Sequence, residues 1–300
     1  MTLEKMKDIL TKADQGNYGV GAFSVANMEM VMGAIQAAEE LRSPLILQIA
    51  EIRLNHSPIH MIGPLMIAAA RGASVPVAVH FDHGMTSEKI KQTLEIGFSS
   101  VMFDGSHYTL EENIQKTKEI VVLAKRYSAT VEAEIGRVGG SEDGSENIDM
   151  LLTSVDEAKR FAEETGIDAL AIAIGNAHGM YKGDPNLRLD RLQEIDAVVD
   201  IPLVLHGGSG ISAEDFQACI QSGIRKINVA TATFNNVVSA VNAYVQNAPY
   251  SDYFTFHQGV IQATYENVKQ HMQIFGSVNK AEEHEGLVVQ EQKGGVQFDW

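Results

Sequence analysis

The stretch Val77–Gly84 reads VAVHFDHG and joins an apolar run to a polar end. Pro76 precedes the run, which is typical of a strand buried on both faces of a parallel sheet. Asp82, His83 and Gly84 close it. Removing a carboxylate and an imidazole from water is costly unless a metal, a partner or a substrate compensates for the lost hydration. The stretch therefore predicts a buried strand that carries functional groups at its carboxyl end.

Outward from this stretch, a short apolar strand followed by an amphipathic helix recurs along the chain. Eight such units, after an opening helix and before a last helix at about residues 254–275, favour a closed (β/α)₈ or TIM barrel. The predicted strands are 21–25, 44–50, 76–83, 99–103, 130–135, 168–174, 202–206 and 225–230. No break in composition divides them, so we expect one barrel domain over residues 1–280 and a polar tail over 281–300. A doubly wound sheet is the alternative, but no G-x-G-x-x-G motif follows the first strand.

Composition and charge restrict the classes of function. Of the 300 residues, 45% are hydrophobic and 21% are charged, as in ordinary globular proteins. The formal net charge of -16 argues against a nucleic-acid partner, which requires a basic face. No run approaches the roughly 18 apolar residues of a membrane span, and the N-terminus lacks the features of a secretory signal. We therefore expect a cytoplasmic protein without a membrane partner, and Cys219 as a small buried hydrophobic residue.

Polar residues follow the predicted strands at the barrel rim where active sites lie. Six consecutive strands or their following loops contribute Asp, Glu, His or Asn: Asp82, His83, Asp104, Glu134, His178, His206 and Asn228. A single histidine at a strand end is more often a satisfied polar residue than a metal ligand. Three imidazoles with an open fourth position, however, have the form of a catalytic zinc site. This hypothesis depends on the predicted fold, because the three histidines are far apart in the chain.

Alternation along the strand complicates this prediction. Regular geometry places His80 and Asp82 on one face and Phe81 and His83 on the other. Asp82 and His83 would then share a pocket only if the strand ended at His83 and the chain turned. We interpret His80 as a structural residue.

Two further loops carry candidate functional residues. The segments HGGSG (206–210) and NVAT (228–231) follow the positions where barrel enzymes often bind phosphate, although a tight turn with a helix cap is the alternative. They supply the candidate substrate-binding residues Gly207, Gly208, Ser209, Asn228, Ala230 and Thr231. The acidic, glycine-rich loop GRVGGSEDGSEN (136–147) is either a solvated surface loop or a mobile arm that brings the Glu142 carboxylate over the pocket.

These segments resemble the signatures of the zinc-dependent class II ketose-bisphosphate aldolases, and in their short loops the fructose- and tagatose-bisphosphate branch. The matching segments are VHFDHG (79–84), SVMFDGS (100–106), VEAEIG (131–136), GGSE (139–142), AIGNAHG (173–179), LHGGSG (205–210) and KINVAT (226–231). The resemblance runs from about residue 3 to 280, in the family's order and spacing. It implies reversible cleavage of a ketose 1,6-bisphosphate to dihydroxyacetone phosphate and an aldehyde such as glyceraldehyde 3-phosphate, by a homodimer or homotetramer.

The resemblance also implies a role for each matching residue. His83, His178 and His206 match the zinc ligands, and Asp104 and Glu134 match carboxylates of an alternative or second metal position. Asp82 matches the acid/base at the C4 oxygen, and Glu142 matches the loop carboxylate that moves the proton at C3. The residues that match contacts to the dihydroxyacetone phosphate part, where a sodium or potassium ion often binds too, are Gly179, Gly207, Ser209, Asn228 and Thr231.

The chain departs from the family where the distal end of the sugar binds. Bisphosphate enzymes carry an Asp-Pro-Arg stretch before the last helix, whereas residues 248–254 read APYSDYF without an arginine. A serine frequent after strand two is replaced by Ala50, although Arg53 is nearby. Because arginine is the natural bidentate partner of phosphate, a ketose 1-phosphate without a distal phosphate is the alternative substrate. A non-catalytic barrel subunit, a metal-dependent hydrolase and a Schiff-base mechanism through Lys226 are weaker alternatives.

Overall fold

The computed structural model describes residues 2–140, 150–179, 181, 183, 185–247 and 252–281. Within these ranges the strands form one closed, all-parallel barrel in which each strand pairs with its neighbours in sequence and β8 pairs with β1. The strands are β1 (Val20–Ser24), β2 (Leu45–Ala50), β3 (Val77–Gly84), β4 (Ser100–Phe103), β5 (Thr130–Ile135), β6 (Ala169–Ile172), β7 (Leu203–Leu205) and β8 (Ile224–Val229). The predicted (β/α)₈ barrel is therefore confirmed.

Helices connect successive strands and cover the barrel. They are α1 (Met6–Gly16), α2 (Met28–Leu41), α3 (Ile59–Gly72), α4 (Ser87–Ile96), α5 (Leu110–Lys125), α6 (Val155–Thr165), α7 (Leu189–Asp196), α8 (Ala213–Gln221), α9 (Thr231–Asn247) and α10 (Tyr253–Ile274). A 3₁₀ helix, Glu51–Asn55, lies between β2 and α3 and was not predicted from the sequence. Among the described residues, no helix has both the length and the apolar character that a membrane span requires.

Local sequence explains most helix ends. The Asn27 side chain accepts a hydrogen bond from the Met30 amide, as expected for the cap of α2, and Gly97 ends α4 at a φ of 108°. Ser154 and Glu157 have the spacing of a capping box at the start of α6, but the Ser154 side chain makes no capping hydrogen bond. A capping box does form at Thr109, which exchanges hydrogen bonds with Glu112 at the start of α5.

Strand β6 is shorter than predicted because the chain leaves the sheet early, and β7 is shorter by one residue at each end. The Ala173 amide donates to Thr153 Oγ1 at 2.8 Å, and the Ile174 amide donates to Asn176 Oδ1 at 2.8 Å. These residues are apolar and buried, yet their amides donate to side chains outside the strands and their carbonyls accept from the amides of Thr153 and Arg188. An apolar run therefore overestimates strand length where a buried loop satisfies the backbone.

The barrel interior changes character along its axis. At the amino-terminal end, inward-facing side chains such as Ala78 and Met102 form an apolar cluster with Met6 and Leu10 of α1. Thr2 and Glu4 pair with Val77, which holds the start of α1 against this end of the barrel. Towards the carboxyl end, buried polar residues replace the apolar ones: Ser24, Gln48, His80, Asp82, Ser100, Glu132, Glu134, Lys226 and Asn228. The polar half of the interior thus lies directly below the rim where the candidate site is expected.

Cys219 gives a test of the packed core. It is fully buried in α8, as predicted, and burial raises the pKa of its thiol to about 12. Because the thiolate is the reacting form, we expect the folded protein to leave Ellman's reagent unreacted at neutral pH, and guanidinium to expose one thiol per chain. The Cys219→Ser variant should give no signal in either state. Rapid reaction of the folded protein would contradict this packing.

Candidate metal centre and active site

A distortion in β3 brings Asp82 and His83 to the same side of the strand. The pairing of β3 with β4 shifts register between Phe81 and Gly84, and His83 has a φ of 43°. The left-handed conformation costs about 1–2 kcal/mol for a residue with a side chain, so it persists only where the surroundings enforce it. The sequence expectation that the strand ends at His83 is therefore corrected, because the strand runs to Gly84 through a bulge at this point.

Three histidines from separate parts of the chain meet at the rim. One nitrogen each from His83, His178 and His206 lies within 4.8 Å of the others. The ring centroids are 4.6 Å apart for His83 and His206, 5.0 Å for His83 and His178, and 6.0 Å for His178 and His206. His178 reaches this position on the loop after β6, where its amide donates to Gly139 O at 2.7 Å. The structure thus brings together the three predicted ligand side chains.

Carboxylates surround two of the imidazoles. His83 Nδ1 lies 2.7 Å from Asp104 Oδ2, and His206 Nε2 lies 2.9 Å from Glu132 Oε1. On the other side of the His206 ring, Nδ1 is 3.4 Å from Glu134 Oε2, and neither atom has a hydrogen-bond partner among the described residues although both are buried. A buried imidazole nitrogen and a carboxylate oxygen without partners suit a cation between them. The donor set of imidazoles and carboxylates therefore fits zinc.

Burial and mutual charge shift the protonation of these groups. Burial, followed by the charge of His83, lowers the pKa of His206 well below its ordinary value, which keeps this imidazole neutral. Burial and the neighbouring Asp104 charge raise the pKa of Glu134 to about 8. Burial opposes ionisation of Asp104 too, but hydrogen bonds and charge from His83, with hydrogen bonds from Ser106, hold its pKa well below the usual range. A neutral imidazole is the form that coordinates a metal.

Asp82 is fixed beside this cluster by two amide side chains. Asn228 Nδ2 donates to Asp82 Oδ1 at 3.0 Å, and Gln48 Nε2 donates to Asp82 Oδ2 at 3.1 Å. All three side chains are buried, with Asp82 at 0% exposure. The carboxylate therefore has a defined direction and stays next to His83, the following residue.

The candidate phosphate loops pack closely against one another. A Cβ on Gly207 would lie 2.2 Å from Ala177 O, and one on Gly208 would lie 2.7 Å from Asn228 O, so neither position accepts a larger residue without movement. Gly207 also has a φ of 65°. Ser209 Oγ accepts a hydrogen bond from the Ala232 amide at 2.8 Å. The loop after β7 is thus joined to the start of α9.

Of the remaining predicted residues, three lie within the described residues and one lies outside them. Thr231 begins α9, Ala230 precedes it and is buried, and Gly179 has a φ of 82° with open space where a Cβ would stand. Glu142 lies outside the described residues. The ligand and substrate-contact roles of all these residues remain proposals.

Sequence reasoning missed several residues that organise the site. Glu132 contacts His206, and Gln48 contacts Asp82. Asn176 Nδ2 donates to His206 O at 3.0 Å, and Tyr181 Oη donates to Gly207 O at 3.0 Å, so the loop after β6 is tied to the end of β7. Glu132 could have been found from alternation, because it is two residues from Glu134 and shares its face. The loop contacts of Asn176 and Tyr181 have no such pattern.

Comparison with known proteins agrees with this arrangement. The family model described as fructose-bisphosphate aldolase class-II matches residues 4–280. A 6-phospho-5-dehydro-2-deoxy-D-gluconate aldolase of Bacillus licheniformis is 40% identical over 286 residues, which cover 94% of this chain and 97% of that protein. A sulfofructosephosphate aldolase of Alkalicoccus urumqiensis is 37% identical and covers 92% of this chain and 97% of its own length.

Solved structures give the same result. The crystal structure of the YdjI aldolase from Escherichia coli K12 has a TM-score of 0.84 and 34% identity, covering 93% of this chain and 100% of that one. A putative fructose-1,6-biphosphate aldolase from Coccidioides immitis has a TM-score of 0.85 and 33% identity, covering 92% and 97%. The resemblance read from the sequence motifs is thereby confirmed at the level of the family. The chain belongs to the class II fructose-bisphosphate aldolase family.

Proposed function

We propose that this chain is a zinc-dependent class II aldolase that reversibly cleaves a ketose 1-phosphate, with an anionic distal group other than phosphate, to dihydroxyacetone phosphate and an aldehyde. The observation that carries the proposal is the convergence of three imidazoles beside the buried Asp82 carboxylate, with the glycine-rich loop of residues 207–210 directly after His206. A non-catalytic barrel subunit would be free to lose these groups, and the described residues retain them.

The metal would be held by His83, His178 and His206. When bound, zinc supplies a Lewis acid that stabilises negative charge on a substrate oxygen. The carboxylates of Asp104 and Glu134 stand behind these imidazoles and are available for an alternative or second metal position. The charge of Asp104 would also balance part of the charge of a divalent cation.

Asp82 is the group proposed to take the C4 hydroxyl proton as the C3–C4 bond breaks. Its two oxygens already accept hydrogen bonds from Gln48 and Asn228, which fix its orientation and leave the remaining lone pairs for the substrate. Glu142 is proposed to move the proton at C3, on the resemblance alone. No Schiff-base lysine is needed in this scheme.

The phosphate of the dihydroxyacetone phosphate half would bind between Gly207, Ser209 and the start of α9. Backbone amides of a glycine-rich loop and the amino end of a helix both favour an anion. A sodium or potassium ion at the same place remains part of the proposal. So do the homodimeric or homotetrameric assembly, the cytoplasmic location and the single domain over residues 1–280.

The distal group separates the two substrate hypotheses. The curated relatives are named for a substrate with one phosphate and a carboxylate, and for one with a phosphate and a sulfo group. These names favour a ketose 1-phosphate with a different distal anion over the 1,6-bisphosphate expected first from the sequence. The missing Asp-Pro-Arg arginine agrees with this choice.

Arg53 is the proposed partner of such an anion. It belongs to the 3₁₀ helix that follows β2, and Ala50 at the end of β2 pairs in register with Asp82. Its guanidinium carbon lies 5.4 Å from the ring centroid of Phe234, in the first turn of α9. A guanidinium can stack on an aromatic ring and also form bidentate hydrogen bonds with an anion through its edge.

Metal dependence tests the chemistry. We expect EDTA treatment followed by gel filtration to lower the cleavage rate by at least about 100-fold, because a Lewis acid contributes several kcal/mol to such a reaction. Zinc should restore the rate at one ion per chain, measured by metal analysis. His206→Ala should bind zinc poorly and stay inactive, while His60→Ala, an exposed histidine on α3, should behave as wild type. Full activity of the metal-free protein would exclude the proposed mechanism.

Substrate choice tests the distal group. We expect Arg53→Met to raise KM about 10- to 100-fold for 6-phospho-5-dehydro-2-deoxy-D-gluconate or sulfofructose phosphate, since a hydrogen-bonded charge contributes about 1.5–3 kcal/mol. The KM for fructose 1-phosphate, which has an uncharged distal end, should change less than about twofold by the same principle. Dihydroxyacetone phosphate is measured with a coupled reductase, and Arg71→Met, at an exposed position of α3, is the control. An equal loss for all substrates would place Arg53 at the shared phosphate instead.

A further inference from the structure

Lys226 lies inside the barrel on β8 and is fully buried. Its ammonium forms an ion pair with Glu132 Oε2 at 2.9 Å and donates a hydrogen bond to Asn228 Oδ1 at 2.7 Å. Taking a charge from water costs several kcal/mol even after the protein relaxes, so a lysine in this place needs both partners. The reaction scheme proposed above gives Lys226 no task, which leaves its presence to be explained.

Each partner of Lys226 contacts one functional group of the candidate site. Glu132 uses its other oxygen, Oε1, to contact His206 Nε2 at 2.9 Å. Asn228 uses its amide nitrogen to donate to Asp82 Oδ1 at 3.0 Å. The Lys226 ammonium is therefore connected to the proposed zinc ligand His206 through one side chain, Glu132. It is connected to the proposed acid/base Asp82 through another, Asn228.

The chemistry of an ammonium fixes the direction of both branches. A lysine ammonium has three donors and no acceptor, so the Asn228 side chain must turn its carbonyl oxygen towards Lys226. The NH₂ group of Asn228 then has to face Asp82, which orients the carboxylate. Without the ammonium, the amide could flip and present its oxygen to Asp82, which would repel the carboxylate.

The same reasoning applies to His206. A carboxylate held beside an ammonium offers acceptors only, so the nitrogen of His206 that faces Glu132 must be the one that carries hydrogen. This places the proton on Nε2 and leaves a lone pair on Nδ1, the nitrogen that lies 3.4 Å from Glu134 Oε2. His206 Nδ1 is the atom that has no hydrogen-bond partner among the described residues. An outer carboxylate that fixes the tautomer of a ligand in this way is common at metal sites.

We propose that Lys226 is a positioning residue that sets, through Glu132, the metal-binding tautomer of His206 and, through Asn228, the orientation of Asp82. The proposal rests on the zinc-dependent function proposed above. It differs from the alternative that Lys226 has only a structural role and neutralises the buried carboxylate of Glu132. In that case the lysine would matter for stability and would have no effect on zinc binding or on the proton transfer at C4.

Lys226 also contacts a second cluster of potential metal ligands. His80, Asp82 and Glu132 bring ligand atoms within 4.8 Å of one another, deeper in the barrel than the three histidines. His80 Nε2 is 3.6 Å from Glu132 Oε2, the oxygen that the ammonium already contacts. The cation of this deeper cluster is therefore the lysine, and we expect no metal ion there.

Three variants test the positioning role. Lys226→Met removes the ammonium and keeps the length of the side chain, but leaves Glu132 as an unpaired buried charge that is expected to destabilise the protein. Lys226→Met combined with Glu132→Gln removes both charges and should recover the melting temperature. Lys159→Met, at an exposed position of α6, is the matched control.

The decisive readouts are zinc affinity and the histidine tautomer. By chelator competition, we expect the double variant to bind zinc about 10- to 100-fold more weakly than wild type, as is usual when an outer partner of a ligand is lost. In long-range ¹H–¹⁵N spectra of the metal-free protein, the His206 ring, identified with His206→Gln, should lose its pure Nε2–H form. In cleavage assays, kcat should fall about 10-fold or more, in line with the loss of an outer partner, while KM changes little because the phosphate contacts are intact.

The outcomes distinguish the two proposals. A double variant with recovered stability and with wild-type zinc affinity, tautomer and kcat would overturn the positioning role. If the wild-type protein binds zinc but cleaves no ketose phosphate, the proposed function fails, while the affinity and tautomer measurements still decide the role of Lys226. A double variant that folds, and that binds zinc more weakly and shows a more mixed tautomer than Glu132→Gln alone, supports the inference whatever the substrate.

Discussion

Closure of the parallel sheet forces every second residue of each strand into an interior from which water is excluded. In the amino-terminal half, that constraint is met by apolar side chains packed against α1. In the carboxyl half, it is met by charges and amides that pair with one another, among them the fully buried Lys226–Glu132 ion pair. The buried polar residues that support the candidate site are therefore also the residues that fill the carboxyl half of the barrel interior.

The candidate site depends on an irregularity in the β3 backbone at His83. A continuous strand would send Asp82 and His83 to opposite faces, one inward and one towards the helices. The register shift and the left-handed His83 backbone turn the imidazole to the rim while Asp82 keeps its inward position. The Asp104 hydrogen bond at 2.7 Å and the packing of three imidazoles hold this strained residue in place. The strain is local and follows directly from the need for two adjacent side chains in one pocket.

The sequence was sufficient to predict the fold and the polar residues at the carboxyl ends of the strands, because both follow from simple periodicity. Apolar runs and their polar ends identified the strands that carry His83, Asp104, Glu134 and His206. It was not sufficient for the His83 bulge, since no residue pattern distinguishes a left-handed histidine from a regular one. Glu132 and Gln48, which contact the site residues, were missed because they lie inside strands, where a polar residue interrupts the apolar pattern. Their contacts depend on closure of the barrel, which the local sequence does not describe.

The loops around His206 and the 3₁₀ helix that carries Arg53 are held by different parts of the fold, and the proposed function assigns the first to the shared chemistry and the second to the distal group. Around His206 and Gly207, the loops after β6, β7 and β8 bond tightly to one another through Asn176, Tyr181 and Ser209. At the opposite end, the 3₁₀ helix with Arg53 is anchored by Glu51 to the amides of Met85 and Thr86, just beyond β3. That anchor fixes the backbone but leaves the side chains of the short helix free to differ without disturbing the interior network. On the proposed function, a change of distal anion would call for substitutions in this short helix, whereas a change near His206 would have to rebuild the packed loops and the buried charges beneath them.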